Sequence, residues 1–169
     1  HPQNPLKEDL GQFQLILDNG LINAVGECGF DFYTSDFRNT KKEQIEAFEY
    51  QLELAIKTGL PLVLHGRKCN EEFFKYALEL KKCSSVLFHS FMGSLVEAQS
   101  FISKGINCYF SFGKQVMNGN KNVISCVKNL PLERLLCETD APYQFLKGEE
   151  ETYIEDIEKV YRAFYEMRP

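Results

Sequence analysis

This sequence predicts an α/β fold built on a parallel sheet, a TIM-type (β/α)8 barrel present in incomplete form with about five strands. Three observations lead there. Five strand-like runs alternate with helical stretches, and the runs are almost continuously apolar, as strands covered on both faces are. Glu27, His65, His89 and Asp140 each stand at the C-terminal end of such a run. A barrel brings several strand ends together at that face, whereas an open doubly wound sheet gathers fewer at one point. A complete barrel takes about 250 residues and eight strands. The 169 residues therefore read as a single incomplete barrel domain, 1–169, lacking its opening strands.

A helical stretch at about Leu6 to Leu17 precedes the first strand, Leu21 to Gly26. Thr40 and Glu43 have the spacing of a capping box, after which Ile45, Phe48, Leu52, Ala55 and Ile56 share one helical stripe. Gly59 and Pro61 end that helix, and Leu62 to His65 is the second strand. Asn70 is placed to cap a helix with the stripe Phe73, Phe74, Ala77 and Leu78, leading to a strand from Ser85 to His89. Ser94 and Glu97 form a second box before Ala98, Phe101 and Ile102, and Gly105 closes that helix. Ile106 to Ser111 reads as a strand. A weaker helix with Val123, Ile124 and Val127 stops before Pro131, and Arg134 to Cys137 opens the last strand. A third box, Thr152 to Glu155, starts a helix carrying Ile154, Ile157, Val160, Tyr161 and Phe164.

Composition narrows the function classes. No apolar run approaches the roughly 18 residues of a membrane span, and the opening His1-Pro2-Gln3-Asn4-Pro5 has no signal-peptide character, so no membrane association or export is expected. Six cysteines without a C-x-x-C pair read as reduced, mostly buried thiols of a cytoplasmic protein. The net charge of −5 argues against a broadly basic nucleic-acid-binding surface. A nuclease escapes that objection when bound cations and one or two basic residues neutralise the scissile phosphate.

Four segments carry the chemistry. In Gly26-Glu27-Cys28-Gly29, a carboxylate at a strand end precedes a glycine-containing loop, and its two oxygens can bridge two cations. In Leu64-His65-Gly66-Arg67, an imidazole ends a strand, and an arginine two residues on reaches the same face with the side chain best shaped for phosphate. Phe88-His89-Ser90 repeats the strand-end histidine, so two of the three histidines occupy equivalent places in successive modules. In Glu138-Thr139-Asp140, two acids point the same way if the strand continues, one able to ligate a metal and the other to orient a neighbouring ligand.

With these segments in order, the chain resembles the TatD family of metal-dependent deoxyribonucleases, within the amidohydrolase-like barrels. The match runs from His1-Pro2, which is similar to the family's H-P loop, through 26–33, 60–67 and 89–93 to 138–143. The resemblance implies a divalent-metal cofactor (Mg²⁺, Mn²⁺ or Zn²⁺, two ions in the family) and DNA as substrate, hydrolysed often as a 3′-to-5′ exonuclease. By position, Glu27 matches the bridging glutamate, His65 and His89 the strand-end histidine ligands, and Asp140 the late aspartate ligand. Arg67 matches a phosphate-contacting arginine, and Glu138 a motif position suited to orienting a ligand.

The family's first strand bears an H-x-H pair, and this chain contains none. His1 belongs to a later loop and is not its substitute. The Glu27, His65 and His89 half of the site is therefore expected complete, and the half that needs Asp140 incomplete, so at most one full metal position is expected. In the resemblance's mechanism water attacks phosphorus, Asp140 orients or deprotonates it, and the cations and Arg67 stabilise the developing charge. Catalysis thus falls to Asp140 and Glu27. Two other readings stand: a barrel metallohydrolase acting on a non-nucleic ester or amide, and an inactive fragment serving as an interaction module. No motif indicates a protein partner.

Overall fold

The computed structural model describes residues 1–5 and 7–168, with the side chains of residues 7–10 left aside. The chain begins with α1 (Lys7–Asp18), and the expected start of that helix at Leu6 lies outside the described residues. There follow β1 (Val25–Asp31), α2 (Ser35–Asn39), α3 (Lys41–Thr58), β2 (Leu62–Arg67), α4 (Asn70–Lys75), α5 (Ala77–Leu80) and β3 (Val86–His89). The remainder is α6 (Leu95–Ser103), β4 (Cys108–Phe112), α7 (Lys121–Asn129), β5 (Leu135–Cys137) and α8 (Ile157–Met167).

The five strands form one sheet in the order β1-β2-β3-β4-β5, every neighbouring pair parallel. A doubly wound sheet reverses its strand order at a switch point; here each strand is laid beside the last without reversal, as in a barrel. The sheet is open, and β1 and β5 are its edges. This matches the expected incomplete barrel of about five strands.

Phenylalanine fills the core between sheet and helices. Phe30, Phe48, Phe73, Phe101, Phe110 and Phe112 are fully buried. Phe73 of α4 packs 5.1 Å from Phe30 and 5.7 Å from Phe88, ring centre to ring centre, so one helix residue ties β1 to β3. Full burial of such a ring contributes roughly 1.5–3 kcal/mol.

Several local expectations are corrected. The first strand starts at Val25 and runs past Gly26 to Asp31, so Glu27 lies inside it. The Ser94 and Glu97 box forms with both of its bonds, but Thr40 makes no cap bond to α3; its hydroxyl donates to the Phe37 carbonyl instead. Asn70 is the first residue of α4 rather than its cap, and its amide donates to Glu97. The helix expected over the Phe73 stripe breaks at Tyr76, leaving Leu78 exposed and Leu80 buried. At the third box the capping contact is the Tyr153 N–H donating to Asp156, which leaves Ile154 exposed.

Candidate metal centre

The site begins with an irregularity in β1. Cys28 pairs with Leu64 and Val25 with Leu62, so one more residue of β1 than of β2 lies between the two pairs. The surplus residue is a bulge, a device that re-aims side chains. The flanking glycines allow β1 to lie this close to β2. A Cβ on Gly26 would sit 2.7 Å from the Val63 carbonyl oxygen, and one on Gly29, whose φ is +130°, would run into the His65 carbonyl. The bulge delivers the Glu27 carboxylate to a cleft of about 690 Å³ shared with His1, His65, Arg67, His89, Asp140 and Gln144.

Glu27 stands between two imidazoles. Its Oε2 is 3.6 Å from His65 Nδ1, and its Oε1 is 3.8 Å from His89 Nε2. The opposite nitrogen of each ring faces a second carboxylate: His65 Nε2 is 3.2 Å from Asp31 Oδ2, and His89 Nδ1 is 2.8 Å from Glu138 Oε2. A carboxylate behind an imidazole fixes the ring's orientation and tautomer and raises its basicity, which is how metal-binding histidines are commonly held. The result is a continuous line, Asp31, His65, Glu27, His89, Glu138.

Asp140 joins the same ring, its Oδ1 3.4 Å from His89 Nε2. The sequence suggested that Glu138 and Asp140 share a strand direction. The strand instead ends at Cys137 and Asp140 takes a left-handed φ of 58°, so the two acids reach opposite nitrogens of His89. Arg67, the last residue of β2, lies 3.6 Å from Asp31 Oδ2 and stacks over the Tyr33 ring at 4.1 Å.

The charges are strongly coupled. Burial opposes a charge on His89, yet hydrogen bonds to Asp140 and Glu138 prevail and push its pKa up to about 10. The hydrogen bond with His65 holds the Glu27 carboxyl below the usual carboxylate range despite burial. Burial would raise Asp31, but the bonds it accepts from the Gln3 amide and the Tyr33 N–H hold it low as well.

The residues fit a divalent cation. His1, Glu27 and His65 offer three donor atoms, all within 4.8 Å of one another, and imidazole nitrogen with carboxylate oxygen suits Zn²⁺ or Mn²⁺. The sequence set His1 apart in another loop, but its Nε2 lies 3.2 Å from His65 Nδ1 and 3.5 Å from Glu27 Oε2. Asp31 was also missed: its place emerges only because β1 runs on to Asp31 and sets it in register with Arg67. Gln144 and Ser90, which reach the site from loops, gave no signal.

A parallel, barrel-ordered sheet with a histidine and carboxylate donor set at its strand ends defines the class of barrel metallohydrolases. The chain belongs to the TatD related DNase family, whose model matches residues 1–169. It is 34% identical over 155 residues to a Buchnera aphidicola protein named as a metal-dependent hydrolase, covering 85% of this chain and 57% of that one. It is 30% identical over 137 residues to the 3′-5′ ssDNA/RNA exonuclease TatD of Erwinia amylovora, covering 80% and 52%. Among solved structures, the Escherichia coli TatD homologue YjjV superposes with a TM-score of 0.85 at 29% identity, over 100% of this chain and 67% of that one. The chain spans about half the length of the curated relatives it matches. Among the described residues, no helix is long and apolar enough to cross a membrane.

Proposed function

We propose that residues 1–169 form one TatD-like domain contributing most of the active site of a divalent-metal-dependent deoxyribonuclease, acting 3′ to 5′ on DNA. The observation that carries this reading is the line of alternating carboxylates and imidazoles through Glu27, each histidine backed by its own acid. Glu27, His65, His89 and Asp140 are assigned as the residues that hold metal, with His1 offering a further donor beside Glu27 and His65. When bound, the cation supplies Lewis-acid polarisation of the phosphate and acidifies water.

The chain's own residues do the rest. Glu27 ties the two histidines together, and Glu138, with Asp31, orients the imidazoles. Asp140 accepts the proton of the attacking water, for which its place beside His89 and at the cleft suits it. Arg67 faces the non-bridging phosphate oxygens; its side chain is 42% exposed and its planar fork suits phosphate. The substrate assignment draws on the relative named as an ssDNA/RNA exonuclease together with Arg67.

The test is hydrolysis of end-labelled single-stranded DNA beside small carboxylic esters, with Mg²⁺, Mn²⁺ and Zn²⁺ supplied in turn. DNA should shorten from its 3′ end in the presence of metal, and Glu27→Gln should abolish this with folding intact. Cleavage of the esters alone, or undiminished activity in Glu27→Gln, overturns the assignment.

A further inference from the structure

We infer that Gln144 is a positioning residue that sets the Asp140 carboxylate and so tunes the cation affinity of the site; this rests on the reading of Asp140 as a residue that faces the metal. The Gln144 Nε2 donates to Asp140 Oδ2 at 2.7 Å and to the Ser90 hydroxyl, and Glu138 Oε1 lies 3.5 Å away. With Oδ2 occupied, Asp140 turns Oδ1 toward His89. The amide thus stands between two carboxylates on the side away from the imidazole, while His89 bridges the same two acids on the other side.

Two independent observations show that the amide is placed deliberately. Its Oε1 is buried without a hydrogen-bond partner. Rotating the amide would leave that oxygen against the Asp140 carboxylate, so the acids dictate the orientation and the orphaned carbonyl is its consequence. Second, Ser90, Asp140 and Gln144, none of them glycine, all adopt left-handed φ values of 51°, 58° and 59°, and they are the residues this amide joins. Such conformations persist where the surroundings over-determine them.

The neighbours are shaped to match. Gln115 donates to the Ser90 hydroxyl from the other side at 2.8 Å, and its own Oε1 accepts from the Gly113 N–H. A Cβ on Gly113 would sit 2.7 Å from Gln144 Oε1, so glycine makes the space that the orphaned oxygen fills. The family resemblance assigns no role to position 144; the role follows from what this side chain touches.

The test is a double-mutant cycle read by Mn²⁺ titration calorimetry on the wild type, Gln144→Leu, Asp140→Asn and the double variant. Gln144→Leu should weaken Mn²⁺ binding about tenfold, the lower end of losses seen when a residue supporting a ligand is removed. In the Asp140→Asn background the same change should have less than about a twofold effect, since coupled residues are non-additive. Gly113→Ala, which displaces the amide without removing it, should weaken binding in the same direction and carries the test if Gln144→Leu fails to fold. With DNA as substrate, Gln144→Leu should lower kcat and leave KM nearly unchanged. Wild-type Mn²⁺ affinity in Gln144→Leu, or an equal loss in both backgrounds, overturns the inference. Coupled Mn²⁺ binding without DNA cleavage would leave Gln144 in its role and overturn the nuclease reading instead.

Discussion

His89 is bounded by Glu27 and Asp140 at one nitrogen and Glu138 at the other, and in the absence of a cation a proton balances those acids. Its pKa, ordinarily 6.5, rises to about 10, because the bonds to Asp140 and Glu138 outweigh burial. A pKa raised in the folded state contributes stability that is complete below the unfolded value and is lost as pH rises through the folded one. The cation-free protein should therefore lose thermal stability progressively between about pH 6.5 and about pH 10. Glu138→Gln should flatten that slope, and melting temperatures across the range, with and without chelator, check it. Glu27, His65, His89 and Asp140 were legible because each ends or follows an apolar run in a repeating module. Asp31 and Gln144 were not singled out, and His1 was read as part of a separate loop, since their places at the site depend on register and on loops folding back, which periodicity does not encode.

The connection between β5 and α8 carries Asp140 and Gln144, and a lysine in the 3-10 turn just after β4 holds it down. Lys114, its side chain 1% exposed, lies 2.7 Å from Glu149 Oε2 and 2.5 Å from Asp156 Oδ2. The same two carboxylate oxygens accept from the Leu146 and Tyr153 N–H groups, so the ion pairs also fix the loop backbone. Breaking a buried pair strands the remaining charges. Lys114→Met should open this loop, seen as faster amide exchange and proteolysis over residues 142–155, with a lower melting temperature. Lys114 and Lys159 hold Asp156 well below its ordinary value of 3.8, and Lys114 holds Glu149 low. Carboxyls depressed by folding stabilise above their unfolded pKa and lose that contribution as pH falls through the folded one. The wild-type loop should thus stay closed through the ordinary carboxylate range and open only in stronger acid. The last four strands were readable as apolar runs with ends shifted by no more than two residues, whereas the first lies four to five residues later than its apolar run suggested. The Thr40 box does not form because that hydroxyl finds a nearer use, donating to the Phe37 carbonyl at the end of α2, and at the third box the Tyr153 N–H turns to Asp156 while the Thr152 hydroxyl lies buried without a partner. Sequence spacing alone cannot register that competition.

At the scale of the whole molecule, an ordered parallel sheet meets an incomplete circumference. The strand order has no reversal, the feature that distinguishes a barrel from a doubly wound sheet, yet β1 and β5 each pair with a single neighbour. A barrel removes its edges by closing; an arc of five strands retains two. Unpaired N–H and C=O groups along an edge template pairing with another chain. Short β5 adds apolar surface, with Leu136 45% exposed, and Leu21, 72% exposed, lies shortly before β1. A polypeptide of these 169 residues alone should therefore self-associate in a concentration-dependent way, measurable by sedimentation equilibrium, and bind a dye specific for exposed apolar surface. Self-association with no metal-dependent cleavage would favour the interaction-module reading for this length of chain. A monomer that unfolds cooperatively and degrades DNA would show instead that five strands suffice for the site, with Glu27 at the edge strand held by its bulge and by His1, His65 and His89.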